Sequence, residues 1–152
     1  MRNKIMLAAA ALLVPALAAA EIFTVASRKA NIRSGPGTGY EVLWTVSRYS
    51  PLEVIDSDGA WVMVSDYEKD EGWIHRSLLS KNPGVAIKTE KANLREGPGG
   101  TYDVLWILDM GYALKIVSSE GSWLKVTDDD EVSGWLHRSV VWGLLGEKEA
   151  VY

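Results

Sequence analysis

The second half of this chain repeats the first at a constant offset of 62 residues, and any fold must satisfy that duplication. Lys29-Ala30-Asn31-Ile32-Arg33 returns as Lys91-Ala92-Asn93-Leu94-Arg95, and Gly35-Pro36-Gly37 returns as Gly97-Pro98-Gly99. Tyr40 matches Tyr102, Val42-Leu43-Trp44 matches Val104-Leu105-Trp106, and Trp61 matches Trp123. Gly72-Trp73-Ile74-His75-Arg76-Ser77 returns as Gly134-Trp135-Leu136-His137-Arg138-Ser139. From Lys29–Ser80 to Lys91–Trp142, 22 of 52 positions are identical and no insertion intervenes. A period this long exceeds the roughly 20–50 residues of solenoid units, so each copy is a domain in its own right. The expected division is 1–20 leader, 21–81 first domain, 82–84 linker, 85–145 second domain and 146–152 tail.

Within a copy the apolar period is 2. Leu52-Glu53-Val54-Ile55 and Trp61-Val62-Met63-Val64 read as strands around a hairpin turn at Asp56-Ser57-Asp58-Gly59. Gly35-Pro36-Gly37 suits a tight turn, because proline presets one corner and glycine accepts positive φ at the next. No stretch after residue 20 carries a helical stripe, so the expectation is an all-β pair of small sandwiches or barrels. A ~60-residue domain hides only about 60% of its unfolded surface, and three repeated tryptophans per copy help to offset that deficit.

Met1–Ala20 reads as a secretory signal peptide. Arg2 and Lys4 precede the apolar run Ile5–Leu17, and Ala18-Ala19-Ala20 offers a small-residue cleavage site between Ala20 and Glu21. The uncharged stretch Ile5–Ala20 is 16 residues, short of the ~20 a spanning helix needs, so no stable membrane anchor is expected after processing. There is no cysteine, which removes disulfides, thiol nucleophiles and Cys-ligated zinc. Without Arg2 and Lys4, 14 basic against 20 acidic residues leave a formal −6, the wrong sign for a nucleic-acid partner.

The motifs Ala-Asn-(Ile/Leu)-Arg-x-Gly-Pro-Gly, Gly-(Ala/Ser)-Trp and Gly-Trp-(Ile/Leu)-His-Arg-Ser occur in the same order in both copies. In that they resemble bacterial SH3-like (SH3b) domains. The resemblance implies two tandem SH3-like antiparallel β-barrels of five to six bent strands, each with a 3₁₀ turn at Arg76-Ser77-Leu78 or Arg138-Ser139-Val140. It also implies a periplasmic or secreted protein that binds peptidoglycan or an extended peptide of an envelope protein.

Strand alternation separates candidate binding residues from core. Val62, Val64, Leu124 and Val126 face inward, which turns Trp61 and Trp123 to the other face, as ligand platforms or as covers under the loop of Gly35-Pro36-Gly37. By the resemblance His75 and His137 lie near those indoles in a groove; alternatively each holds local backbone at the terminal turn. Tyr40 and Tyr102 follow the glycine loop and either line the same groove or pack on it. Arg33 and Arg95 brace the loop or cover an indole. Trp44 and Trp106 read as core or inter-domain contacts. The acidic stretches Asp66–Glu71 and Asp128–Glu131 read as solvated hairpin tips, since they lack calcium-loop spacing.

No nucleophile elbow, zinc-helix motif or phosphate loop is present, so no enzyme and no cofactor are expected. Two readings stand: a non-catalytic, monomeric envelope binding module with one shallow aromatic groove per domain, or a protein–protein scaffold using the paired barrels as a rigid unit. The scaffold would present Trp106, Trp142 or the tail.

Overall fold

The computed structural model describes residues 21–146 and 149–151, with side chains through Gly146. The expected signal peptide lies outside the described residues, as does Ala20 of the expected cleavage site. Glu21 opens the first strand.

The first copy comprises β1 (Glu21–Val25), β2 (Lys29–Arg33), β3 (Val42–Ser47), β4 (Pro51–Asp58), β5 (Trp61–Ser65), β6 (Glu71–His75), a 3₁₀ turn (Arg76–Leu78) and β7 (Leu79–Ser80). They form one antiparallel seven-stranded sheet in the order β3-β2-β6-β5-β4-β1-β7. The second copy comprises β8 (Gly84–Ile87), β9 (Lys91–Arg95), β10 (Val104–Asp109), β11 (Ala113–Glu120), β12 (Trp123–Thr127), β13 (Ser133–His137), a 3₁₀ turn (Arg138–Val140), β14 (Val141–Gly146) and β15 (Glu149–Val151). Its eight strands follow the same order with β15 added: β10-β9-β13-β12-β11-β8-β14-β15.

Each sheet folds over itself around one core. Val25, Ala30, Ile32, Leu52, Val62, Val64 and Ile74 come from five strands yet form a single buried cluster, which a flat sheet could not assemble. Val85, Ile87, Leu94, Leu114, Leu124, Val126 and Leu136 do the same in the second copy. Each such side chain contributes roughly 1.5–3 kcal/mol by leaving water. The bend has a local device: the register between β4 and β5 shifts between Val54 and Asp56, and that between β11 and β12 shifts between Ile116 and Ser118. The ladders stay open, with β3 and β7 as the edges of the first sheet.

Two expectations about turns change. The hairpin corner is not Asp56–Gly59: β4 runs on to Asp58, opposite Trp61, leaving Gly59-Ala60 as the turn with Gly59 at φ +61°. Asp56, Ser57 and Asp58 are poor strand formers alone, but their pairing with Met63, Val62 and Trp61 overrides propensity. At the other boundary, Gly84 belongs to β8 rather than to a linker. A Cβ there would lie 2.7 Å from the Tyr49 carbonyl oxygen, so glycine permits the first copy to approach. The residues read as a tail also contribute structure, since β15 pairs with β14.

The two copies meet through a third cluster, in which Ile22 packs with Trp142 and Leu144, and Tyr67 lies against them. Trp142, read as a residue offered to a partner, is 4% exposed. Around this seam the Tyr49 hydroxyl donates to the Asp129 carboxylate, and Tyr67 lies over Gly111. Subtracting the offset makes these two contacts equivalent, so this part of the seam has local two-fold character.

Candidate functional site

Each copy builds the same aromatic constellation from a cross-strand pair. Trp61 opens β5 opposite His75, the last residue of β6, and their rings meet edge to face at 5.3 Å and 84°. Trp123 and His137 repeat the arrangement at 5.2 Å and 83°. Both indoles are half-buried, while Val62, Val64, Leu124 and Val126 are fully buried beneath. The alternation in the sequence has this physical origin: hydrophobic burial fixes the strand's phase, and the odd positions must look outward.

The histidines end β6 and β13 and cap the 3₁₀ turns that follow. The Ser77 backbone N–H donates to His75 Nδ1 at 3.2 Å, with Ser77 Oγ 2.7 Å from the same nitrogen. Ser139 treats His137 likewise, at 3.1 and 2.7 Å. The local-backbone role considered for these histidines is therefore present. It also fixes the tautomer, because an accepting ring nitrogen carries no hydrogen, and the neutral imidazole then carries its proton on Nε2. The edge that does not cap the turn is a hydrogen-bond donor.

In the second copy Trp123 and His137 line a shallow pocket of ≈ 360 Å³ with Lys91, Asn93, Arg95 and Val140. The sequence reading missed Lys91, Asn93 and their counterparts Lys29 and Asn31. The signal was available: these polar residues are exposed and yet identical in both copies, which packing does not require.

The tyrosines lie on the glycine loops that precede them. Tyr40 and Tyr102 are half exposed and lie on their own glycine loops, where a Cβ at Gly35 or Gly97 would stand 2.4–2.5 Å from the ring. Tyr102 does not line the Trp123–His137 pocket. Arg33 braces the loop by donating from Nη1 to the carbonyls of Thr38 and Tyr40, both at 3.0 Å, and Arg95 does so to Tyr102 at 2.9 Å.

A second concavity follows the seam. A pocket of ≈ 430 Å³ brings Trp44 and Tyr67 together with Ala86 and Gly111. A neighbouring one of ≈ 630 Å³ lies between Arg28, Arg48 and Tyr49 on one side and Asp128, Asp129 and Asp130 on the other. Trp44 is thus half-buried at the seam, as expected of a core or inter-domain residue. Trp106 is not: it is 43% exposed on the edge strand β10.

The acidic loops carry the perturbed carboxyls. Burial raises Asp66, against the backbone N–H groups of Asp70 and Glu68 that bond it. Its counterpart Asp128 is also pushed up by burial, but the Tyr112 hydroxyl at 2.7 Å and the N–H groups of Asp130 and Val132 outweigh that and hold it low. Burial and then the Asp128 hydrogen bond push the Tyr112 phenol up to about 12. Among the described residues no three His, Asp or Glu side chains converge on a metal position.

Comparison with known proteins follows the same two-copy division. The bacterial SH3 domain family matches residues 26–81 and again 88–143. YrvJ of Bacillus subtilis, by name an N-acetylmuramoyl-L-alanine amidase, is 23% identical over 128 residues, which is 77% of this chain and 24% of YrvJ. LytH of Staphylococcus epidermidis, by name a cell wall amidase, is 31% identical over 64 residues, 39% of this chain and 22% of LytH. The chain therefore spans about a quarter of the curated relatives it matches. Among solved structures, an NlpC/P60 family protein of Bacillus cereus covers 80% of this chain and 55% of its own, at 15% identity and a TM-score of 0.35.

Proposed function

The chain belongs to the bacterial SH3 domain family, and from that premise we propose that it is a non-catalytic cell-envelope binding module with one peptidoglycan-binding groove per copy. The observation that carries the reading is that one cross-strand pair is built twice, an indole edge-on to an imidazole, and that in the second copy exposed Lys91 and Asn93 line a pocket with it. The indole face stacks on apolar C–H faces of a sugar or on an extended peptide, and the histidine Nε2–H supplies a directed donor. Two weak sites in one chain gain by effective concentration, an avidity of ~10²–10⁴ over either alone when both engage one polymer. The names of the amidase relatives support a wall ligand and an extracytoplasmic location.

Residues 21–152, with 14 basic against 20 acidic residues, carry a formal −6 and gain no steering toward the carboxylates of stem peptides, so affinity rests on stacking and hydrogen bonds. The test is co-sedimentation with purified sacculi. The paired substitution Trp61→Ala and Trp123→Ala is expected to abolish binding while thermal unfolding still shows a folded protein; retention of wild-type binding would dismiss the groove.

A further inference from the structure

The edge strand β10 is the least protected apolar surface among the described residues. Val104, Leu105, Trp106 and Ile107 are all exposed, Ile107 at 62%, although β10 is hydrogen-bonded only to β9. The first copy exposes Val42 and Leu43 in the same way, but its β3 differs at the positions that follow. Thr45 stands where Ile107 stands, Ser47 where Asp109 stands, and Trp44 is half-buried at the seam beside Tyr67, Ala86 and Gly111. Among the described residues no such cover lies over Trp106. Soluble proteins blunt sheet edges with charge, proline or short length, so an apolar edge left open marks a place where another strand pairs.

Charge selects the occupant. At the far end of β10, Asp109 is neutralised by Lys91 at 2.5 Å. At the near end, Glu96 and Asp103 sit together, the Glu96 N–H donating to the Asp103 carbonyl at 2.9 Å, with Arg95 the cation beside them. The first copy has Ser34 and Glu41 there against Arg33, so the second copy carries one extra negative charge. A second copy of this chain fits poorly. Self-pairing brings no free cation to the Glu96–Asp103 end: antiparallel pairing about Trp106 sets Asp103 towards Asp109, whose Lys91 is already engaged, and parallel pairing sets Asp103 against itself. A bulge lies between Val104 and Trp106, so the regular run offered to a partner is Trp106–Asp109.

We infer that β10 docks an extended segment of another protein, added antiparallel as an extra strand, apolar at alternate positions and basic at the C-terminal end that falls beside Glu96 and Asp103. Backbone hydrogen bonds supply the pairing, and Trp106 and Ile107 grip opposite faces of the added strand. The site borders the Trp123–His137 groove, since Ile107 pairs with Asn93 and Asp109 bridges to Lys91, but its open edge is the side of β10 turned away from β9, so it stands whether or not the groove binds wall polymer.

The probe is a fluorescent, amidated peptide of sequence Val-Thr-Val-Thr-Val-Lys-Lys, titrated with the full chain and read by anisotropy. Saturable binding is expected, weakened about tenfold by Ile107→Thr, the loss typical of one apolar anchor. Asp103→Lys is expected to weaken it about threefold, as befits a charge pair at the rim. Amide shifts are expected on β10 and not on β3. Ile107→Thr copies the residue of the first copy at an exposed site, so folding is spared, and the paired Trp61→Ala and Trp123→Ala variant is expected to bind the peptide as wild type does. No binding overturns the inference. So does equal binding by a peptide with Glu in place of Lys or Pro at the centre, or a dimer of the free protein that Ile107→Thr dissolves.

Discussion

The two copies agree where they build the fold and the groove, and differ where they face each other. Ile32, Val64, Gly72, Trp61 and His75 have identical or near-identical counterparts. By contrast Tyr49 is replaced by Gly111, Ser50 by Tyr112, Tyr67 by Asp129, Ser80 by Trp142 and Ile22 by Gly84. All of these lie on or beside the seam. A duplicated domain starts with two identical surfaces, and tyrosine meeting tyrosine at Tyr67 and Gly111 would clash, since a Cβ at Gly111 already lies 2.6 Å from the Tyr67 hydroxyl. Divergence at the seam converts two like beads into one complementary pair.

Breaking the seam has the largest expected effect. Trp142→Ser installs the residue of the first copy and empties a site in contact with Ile22 and Leu144. Loss of about 3–5 kcal/mol is expected, with urea unfolding split into two transitions as the copies uncouple. A single unshifted transition contradicts the seam. The complementary experiment at a shared position is Gly72→Ala beside Gly134→Ala. A Cβ at Gly72 meets Ile32 Cγ2 at 2.3 Å, and one at Gly134 meets the Arg95 carbonyl at 2.7 Å. Each is expected to cost about 1–3 kcal/mol by overcrowding, the backbone clash in the second copy making it the costlier.

The acidic loops give a smaller and opposite pair of effects. Asp128 titrates low when folded, so it contributes stability above its unfolded pKa that is lost as pH falls through the folded value. Asp66 titrates high, so its contribution is present below the unfolded pKa and lost as pH rises through the folded value. Asp128→Asn is therefore expected to destabilise by about 1 kcal/mol at pH 7, and Asp66→Asn to leave stability level or slightly raised. The two variants draw together as pH falls through the folded value of Asp128, read by thermal melts across pH. The same loss from both at pH 7 would erase the distinction drawn from Tyr112 and Ser50. Smallest of all is Asp109→Ser, which copies Ser47. The pair with Lys91 lies in water, and no measurable change in melting is expected.

The sequence carried the duplication, the strand phase and the buried set because each is a regular spacing that burial enforces. Val62, Val64, Ile74 and their counterparts needed only alternation. The 3₁₀ turns at Arg76–Leu78 and Arg138–Val140 came through the family resemblance. The hairpin corner did not, because backbone pairing carries Asp56–Asp58 against their own preference. The seam was illegible for a different reason. Trp142 and Ile22 are apolar in strands, but nothing local tells burial against the own sheet from burial against a neighbour. The exposure of Trp106 is the same failure in reverse, since its twin Trp44 packs on the first core and lines the seam pocket while Trp106 stands 43% exposed. In the candidate groove, strand phase turned Trp61 and Trp123 outward and the family resemblance set His75 and His137 beside them, while Tyr40 and Tyr102 lie against the glycines of their own loops.

The most direct test follows the indole N–H signals of the seven tryptophans while the ¹⁵N-labelled chain is titrated with soluble peptidoglycan fragments. The account expects the Trp61 and Trp123 signals to move together along one saturation curve, with buried Trp142 unmoved. Stationary signals from both Trp61 and Trp123, under conditions where the protein sediments with sacculi, would contradict it.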